Sequence, residues 1–242
     1  MNLIITMAGK YSRFVNEGYK FPKYLLPWGA KTIVYEILDS LTKENIFDNV
    51  YLVANKNDDQ YMPHLRKIME GLGLPKSNLL LIDDTTGQAQ TAYISIQEIL
   101  KSKKKLLGPI LFHNIDTILI DRDISIIKKI FKESDLDGYI DIFESNNHEY
   151  SYIVPVNGLV GEIEEKIVVS NMATSGLYGF KNYNVFLDNF SHNCAYISDI
   201  YKAMIKNGLK IGFSKLHNPK SVIVLGTPKE YIQNSYLLDF IP

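Results

Sequence analysis

Small residues and basic side chains are concentrated in one segment near the start of the chain. Residues 7–29 read MAGKYSRFVNEGYKFPKYLLPWG, in which a strand end opens into a predicted loop, from about residue 8 to 29, that holds Gly9, Ser12, Arg13, Lys20 and Lys23. Backbone N–H groups of such a turn can converge on phosphate oxygens. Arg13 and Lys23 can neutralise the charge that builds on a leaving diphosphate. The alternative is a basic surface loop with an ordinary glycine turn.

A carboxylate follows a short apolar run further along the chain. Asp116 lies in the sequence HNIDT, just after residues 110–112. A hard carboxylate at a strand end can bind a Mg²⁺ ion that bridges nucleotide phosphates. The alternative is an aspartate that caps the next turn, a role that fits Asp121 and Asp123 better.

Alternating strands and helices must position these residues. Short apolar runs predict strands near residues 3–5, 50–54, 79–82 and 110–112. Apolar residues at helical spacing lie between them, over residues 33–41, 61–69 and 89–100. Strands that are apolar on both faces predict an α/β fold with a mostly parallel, Rossmann-like sheet flanked by helices. Ligands then gather at the carboxyl ends of the strands.

The order of elements changes after about residue 137. Strands are predicted near residues 139–143, 152–156 and 177–180, followed by two helices and a last strand at 222–225. We therefore predict a single domain over residues 1–242, with a nucleotide-binding half (1–136) and a mixed-strand, acceptor-binding half (137–242).

With these motifs the sequence resembles the sugar-phosphate nucleotidyltransferases. The opening signature of that family is a glycine-rich loop with Ser/Thr-Arg and a later Pro-Lys, matched here by Gly9, Ser12, Arg13, Pro22 and Lys23. Later landmarks follow in the family's order: TTGQAQTA, HNIDT, EEK, SNMATSGLYGF, YISDIY and LGTPKEY. The resemblance covers nearly the whole chain and is greatest to members associated with bacterial capsule and surface-polysaccharide synthesis. It implies the GT-A-like nucleotidyltransferase fold.

The resemblance also implies a set of site residues. Arg13 and Lys23 are expected to be catalytic, Asp116 to bind the metal, and the rest to bind substrates: Ala8, Gly9, Ser12 and Arg13 for the triphosphate, Gly87 and Gln88 or Gln90 for the nucleobase side, and Glu165, Lys166, Ser175 and Gly176 for the acceptor. Alternatives remain for two of these groups. TTGQAQ is also a helix N-terminus, and Glu165 with Lys166 also suits an exposed turn between strands.

Three positions depart from the family's pattern. Tyr11 replaces the second glycine of the first loop, and Val224 stands where an aspartate often helps to hold the metal. Ile82 replaces the glutamine expected five residues before Gly87 in thymidylyl- and uridylyl-transferring members. Asp84 follows it, and a carboxylate can accept from the amino group of cytosine. The sequence therefore favours CTP and places Asp84 in the nucleotide site, with a plain turn as the equal alternative.

The reaction that the resemblance implies is an in-line displacement. The phosphate of a sugar or polyol phosphate attacks the α-phosphorus of a nucleoside triphosphate, and diphosphate leaves, with Mg²⁺ as cofactor. One rival is a glycosyltransferase that uses a nucleotide sugar, whose Asp-x-Asp metal motif has a candidate in Asp121 and Asp123. A second rival is a non-catalytic nucleotide-binding regulatory subunit, suggested by Tyr11 and Val224.

Composition limits the other possibilities. The 26 basic and 27 acidic residues nearly cancel, so we expect no nucleic-acid partner. Cys194 is the lone cysteine, and no basic segment followed by an apolar stretch opens the chain, so we expect a cytoplasmic protein. No apolar run reaches the roughly 18 residues that span a bilayer, so we expect no membrane insertion. A homodimer is the default expectation for such an enzyme.

Overall fold

The computed structural model describes residues 1–236, so the last six residues of the predicted 1–242 domain lie outside the described part. Its first half comprises β1 (Asn2–Met7), α1 (Ser12–Asn16), β2 (Pro27–Trp28), β3 (Lys31–Thr32), α2 (Ile33–Thr42), β4 (Asn49–Asn55), α3 (Met62–Gly71), β5 (Leu79–Ile82), α4 (Gln88–Lys101), β6 (Ile110–Asn114), β7 (Thr117–Leu119) and α5 (Ser125–Glu133). Its second half comprises β8 (Gly138–Glu144), β9 (Ser151–Val156), β10 (Leu159–Glu165), β11 (Met172–Phe180), α6 (Tyr183–Asn189), α7 (Ile197–Lys206), β12 (Ile211–Phe213), β13 (Val222–Val224) and α8 (Pro228–Ser235).

A nine-stranded sheet forms the centre of the described residues. The strand order is β10-β9-β11-β6-β1-β4-β5, and β8 pairs with both β11 and β12. Strands β6, β1, β4 and β5 are parallel, whereas β11 is antiparallel to β6 and β8. The prediction of an α/β fold with a mostly parallel sheet flanked by helices is confirmed.

The alternation of side chains along β1 explains why helices cover both faces of the sheet. Leu3 and Ile5 pack into one apolar cluster with α2 and α3, whereas Ile4 packs into a second cluster with α4, α6 and α7. All six residues of β1 are buried. A central strand buried on both faces contributes roughly 1.5–3 kcal/mol for each large apolar side chain removed from water.

The predicted long loop of residues 8–29 is only partly a loop. The structure places the short helix α1, a 3₁₀ turn at Lys23–Leu25 and the strand β2 within it. Single-turn helices and two-residue strands bury too few residues to produce an apolar period, so the sequence pattern does not reveal them. The same reason explains why β7 and β12, each of three residues, were not predicted.

The carboxyl ends of three parallel strands meet at one edge of the sheet. β1 leads into the glycine-containing loop, β4 into a 3₁₀ turn at Lys56–Tyr61, and β6 into Asp116. Among residues 1–236, no helix is long and apolar enough to cross a membrane.

Candidate active site

A cleft of about 430 Å³ opens at this edge of the sheet. The loop after β1, the start of α4, the end of β6 and strands β10 and β11 contribute to its walls. Most of the predicted site residues line it: Ala8, Gly9, Arg13, Lys23, Gly87, Gln88, Asp116, Glu165, Lys166, Ser175 and Gly176. Ser12 is exposed and lies outside the lining, and so does Asp84.

The glycine-containing loop turns sharply at the position where the family has its second glycine. Tyr11 adopts the left-handed conformation, with φ 39° and ψ 36°, directly before α1. That conformation is uncommon for a residue other than glycine. The turn places Arg13 at the cleft with 60% of its side chain exposed, 3.7 Å from a carboxylate oxygen of Glu149. Arg13 is therefore accessible to an anionic ligand.

Lys23 and Asp116 form a close ion pair in the cleft. The Nζ atom of Lys23 lies 2.6 Å from Oδ2 of Asp116, and the side chains are 17% and 26% exposed. Burial raises the pKa of the Asp116 carboxyl, but the charge and hydrogen bond of Lys23 outweigh burial and leave that pKa below its ordinary value. Asp116 is consequently a carboxylate at neutral pH, beside an ammonium group.

Strand β13 and the residue that follows it contact the backbone at Asp116 and Thr117. Val224 pairs with Thr117 in the β7–β13 ladder, and the N–H of Leu225 donates to the carbonyl of Asp116 at 2.7 Å. Gly226 then leaves a gap between two carboxylates. A Cβ atom at Gly226 would lie 3.4 Å from Oδ2 of Asp116 and 3.5 Å from Oε2 of Glu230.

The residues around this gap fit a Mg²⁺ ion. Mg²⁺ is commonly held by one or two carboxylates and completes its shell with substrate phosphates and water. Asp116 supplies one carboxylate and Glu230 faces the same gap, although Glu230 also accepts a hydrogen bond from Thr227 at 2.9 Å. No cluster of three or more His, Cys, Asp or Glu side chains suited to a metal occurs within residues 1–236.

The loop before α4 is fixed against the second half of the chain. A Cβ atom at Gly87 would lie 2.4 Å from the carbonyl oxygen of Ala195, so only glycine fits this approach. The N–H of Ala89 donates to the same carbonyl at 3.1 Å. Gln88 donates to the side chain of Asn114, which packs against Gly176 on β11. Gly87 and Gln88 therefore connect the first half of the chain to the second.

The acidic pair before this loop makes contacts away from the cleft. Asp84 accepts from Asn55 and Lys10, each at 2.8 Å, and Asp83 pairs with Lys56 at 2.8 Å. Hydrogen bonds from Lys10 and Asn55 lower the pKa of the exposed Asp84 carboxyl. In this structure Asp84 stabilises the turn between β5 and α4.

The wall of the cleft that β10 and β11 form contains a hydrogen-bonded carboxylate and an exposed cation. Glu165 ends β10, and its Oε2 accepts from Ser198 at 2.8 Å and from Ser151. Lys166 follows with φ 57°, and its ammonium group lies 5.2 Å from the centre of the Tyr196 ring. The Ser175 hydroxyl is buried without a hydrogen-bond partner in the described part of the chain. These groups can recognise a phosphate and hydroxyl groups.

Several cleft residues were not identified from the sequence. Asn114 and Glu230 lie inside the motifs HNIDT and LGTPKEY, so their motifs were found while their individual roles were not. The Asp-x-Asp candidate is not part of the cleft lining, and Asp123 accepts from the N–H of Ser125 at 3.0 Å in a local turn. This placement agrees with the turn-capping interpretation of Asp123.

Comparison with known proteins shows that the chain is similar to the bifunctional protein GlmU. No protein-family model matches the sequence. The bifunctional protein GlmU of Methanococcus aeolicus is 25% identical over 187 residues, and that of Methanococcus maripaludis is 24% identical over 215 residues. The matches cover 75% and 86% of this chain but 40% and 48% of the relatives. The chain thus spans less than half the length of these relatives.

Solved structures match over nearly the whole chain. The nucleoside-diphosphate-sugar pyrophosphorylase from Vibrio cholerae has a TM-score of 0.82 and 25% identity, with 97% of this chain and 99% of that chain covered. The inositol-1-phosphate CTP transferase from T. maritima has a TM-score of 0.75 and 12% identity, with 98% and 94% covered. The second likeness concerns the fold alone. The resemblance to nucleotidyltransferases that the sequence motifs indicate is confirmed.

Proposed function

We propose, from the premise that this chain belongs to the nucleotidyltransferase family of these relatives, that it transfers a nucleotidyl group from a nucleoside triphosphate to a phosphorylated sugar or polyol. The observation that carries this proposal is the Lys23–Asp116 pair at 2.6 Å. It joins the Pro-Lys segment to the end of β6, beside the loop that presents Arg13. One cleft thereby contains two cations and a carboxylate suited to a metal-bound triphosphate.

The proposed chemistry is a single in-line displacement. A phosphate oxygen of the acceptor forms a bond to the α-phosphorus, the bond from that phosphorus to the bridging oxygen breaks, and diphosphate leaves with the electron pair. No covalent enzyme intermediate is needed. Arg13 and Lys23 stabilise the negative charge that develops on the leaving group, and the cleft walls align the two substrates.

Asp116 is the residue that would hold Mg²⁺, with Glu230 as the nearest second carboxylate facing the same gap. When bound, the ion would neutralise phosphate charge and hold the triphosphate in a reactive arrangement. Val224 lines the cleft but offers no ligand. In the structure the Lys23 ammonium already contacts Asp116. Binding of Mg²⁺ and the triphosphate would therefore have to change the contact between Lys23 and Asp116.

For the acceptor we propose a phosphate ester with several hydroxyl groups. Lys166 supplies a cation to the phosphate, while Glu165 and Ser175 supply hydrogen-bonding groups on the same wall. Glu165 is oriented by two serine hydroxyls, so its free lone pairs point in a fixed direction. The product would be a nucleotide-activated sugar or polyol, in keeping with the proposed role in capsule or surface-polysaccharide synthesis.

For the triphosphate we propose CTP. Support comes from the acidic pair at residues 83–84, because a carboxylate can accept from the amino group of cytosine. In the structure Asp84 is bound to Lys10 and Asn55, so a contact with cytosine requires it to leave these partners. Asp84→Ala provides the test, because an alanine side chain has no hydrogen-bond acceptor. If Asp84 reads cytosine, this variant loses CTP preference; if preference is unchanged, other groups select the base.

Diphosphate release is the experiment that tests the function. The protein is assayed with Mg²⁺, each of CTP, UTP, dTTP, GTP and ATP, and a panel of sugar and polyol phosphates. Release that requires one triphosphate and one acceptor supports nucleotidyl transfer and identifies both substrates. Triphosphate binding without release from any pair favours a regulatory subunit, and Val224→Asp is then the first variant to assay for restored release.

A further inference from the structure

A buried carboxylate outside the predicted site lies next to the phosphate-facing loop. Asp58 belongs to the 3₁₀ turn at Lys56–Tyr61 that follows β4, and it is 2% exposed. Neither its position in the polar run NKNDDQY nor the predicted motifs indicates a role for it. A buried carboxylate is costly unless other groups hydrogen-bond to it. Asp58 therefore needs hydrogen-bond donors as partners.

Two phenol groups satisfy this carboxylate, one at each oxygen. The hydroxyl of Tyr11 donates to Oδ1 of Asp58 at 2.7 Å, and the hydroxyl of Tyr24 donates to Oδ2 at 2.9 Å. No Lys, Arg or His forms an ion pair with Asp58 in the part of the chain that the structure describes. Burial and the nearby Asp58 charge both raise the pKa of each phenol, so both remain protonated donors.

The two tyrosines lie next to the two cations of the cleft. Tyr11 is in the left-handed turn that leads into α1 and Arg13, and Tyr24 directly follows Lys23. A non-glycine residue with positive φ persists where its surroundings hold it in place. The hydrogen bond from Tyr11 to Asp58 provides such a constraint. One side chain in the 3₁₀ turn after β4 thus contacts two segments that are separated in sequence.

We propose that Asp58 is a positioning residue that holds Tyr11 and Tyr24 so that Arg13 and Lys23 face the triphosphate. This inference rests on the proposed function for its catalytic consequence, but the anchoring of the loop is independent of it. Tyr11 thereby compensates for the missing second glycine: its hydroxyl supplies the hydrogen bond that holds the left-handed turn.

The test uses three variants and one matched control. Tyr11→Phe and Tyr24→Phe each remove one hydrogen bond, and Asp58→Asn alters both. Tyr51→Phe is the control, because Tyr51 is a fully buried tyrosine on β4 whose hydroxyl has no hydrogen-bond partner among residues 1–236. Hydrogen exchange is followed at the amides of Phe14 and Leu26, which donate to Tyr11 and Lys23 within the two anchored segments.

The expected result is about tenfold faster exchange at Phe14 in Tyr11→Phe and at Leu26 in Tyr24→Phe, and at both in Asp58→Asn, with the amides of β4 unchanged. The KM for the triphosphate should rise about tenfold, while the KM for the acceptor stays constant. A general loss of folded protein would lower kcat without a selective change in one KM. Tyr51→Phe should match the wild type in all these measurements.

Two outcomes separate this inference from the proposed function. If the wild type transfers no nucleotidyl group, the dissociation constant of Mg²⁺-triphosphate replaces KM, and the exchange measurement is unaffected. Unchanged exchange at Phe14 and Leu26 in folded Tyr11→Phe, Tyr24→Phe and Asp58→Asn would show that the hydrogen bonds to Asp58 do not hold the two segments in place. Faster exchange with unaltered triphosphate affinity and KM would overturn the positioning role.

Discussion

The substitution Lys23→Ala removes the ammonium group of the central ion pair. The surroundings of Lys23 allow two losses to be estimated, one in the free energy of unfolding and one in turnover. The side chains of Lys23 and Asp116 are 17% and 26% exposed, so the ion pair is partly buried. An exposed ion pair contributes up to about 1 kcal/mol, whereas disruption of a buried ion pair costs about 3–5 kcal/mol. We therefore expect a loss of about 1–2 kcal/mol in the free energy of unfolding, which corresponds to a fall of about 2–8 °C in Tm for a domain of this size.

The loss of activity should be larger than this loss of stability explains. Removing one preorganised group that stabilises developing charge lowers turnover by about 10²–10³-fold. A domain with roughly 5–15 kcal/mol of stability remains folded after losing 1–2 kcal/mol, so unfolding cannot produce such an effect. The assay is diphosphate release under saturating substrates, with Tm measured on the same samples. Lys31→Ala is the matched control, because Lys31 pairs with Glu36 and Asp39 outside the cleft. Near-normal turnover in folded Lys23→Ala protein would refute the role of Lys23.

Three further substitutions test other parts of the account. Gly87→Ala places a Cβ 2.4 Å from the Ala195 carbonyl oxygen, so we expect a loss of about 1–3 kcal/mol in urea unfolding and a raised triphosphate KM. Gly71→Ala, where a Cβ meets open space, should cause no such loss, and equal behaviour of the two variants would contradict this packing argument. Glu165→Gln should raise the acceptor KM about tenfold and leave the triphosphate KM unchanged, whereas Glu164→Gln, which affects an ion pair with Lys202, should leave both unchanged. Burial lowers the pKa of His217 and, together with Arg122 and Lys215, outweighs the opposing charge of Asp141. Because the pKa of His217 is lower in the folded state, the folded protein binds this proton less readily than the unfolded chain does. The contribution of neutral His217 to the free energy of unfolding is therefore complete above the unfolded pKa of about 6.5 and is lost as the pH falls through the lower pKa of the folded state. The free energy of unfolding should therefore decrease from pH 7 to pH 5, and His217→Asn should reduce that decrease; an unchanged pH dependence would exclude His217 as its source.

The sequence predicted those parts of the fold that bury long or repeated apolar patterns. β5 was predicted with its observed bounds, and the helical spacing of Ile33, Val34 and Ile37 predicted α2, because these side chains pack against the sheet. The two-residue strand β2 and the helix α1 were not predicted. The conformation of Tyr11 depends on a hydrogen bond to Asp58, 47 positions away, which no local pattern reveals.

The candidate site was predicted where a motif and a strand end coincide. Asp116 follows this rule, whereas Lys23 was predicted from the Pro-Lys motif alone. The structure brings the two residues into contact although 93 positions separate them. Asp84 shows the limit of the approach: its side-chain chemistry suits cytosine, but its partners in the structure depend on how β4 and β5 lie side by side. Glu230 was missed because its approach to Asp116 depends on the pairing of β7 with β13. The predicted cytoplasmic location and homodimer remain predictions.

The most direct test of nucleotidyl transfer follows the α-phosphorus of the triphosphate. With Mg²⁺ and the acceptor and α-³²P-labelled triphosphate that the diphosphate screen identifies, the label should appear in a nucleotide-activated sugar or polyol, while unlabelled diphosphate is released in equal amount. Label that remains in the triphosphate, or that appears as free nucleoside monophosphate without a joined acceptor, would contradict the account.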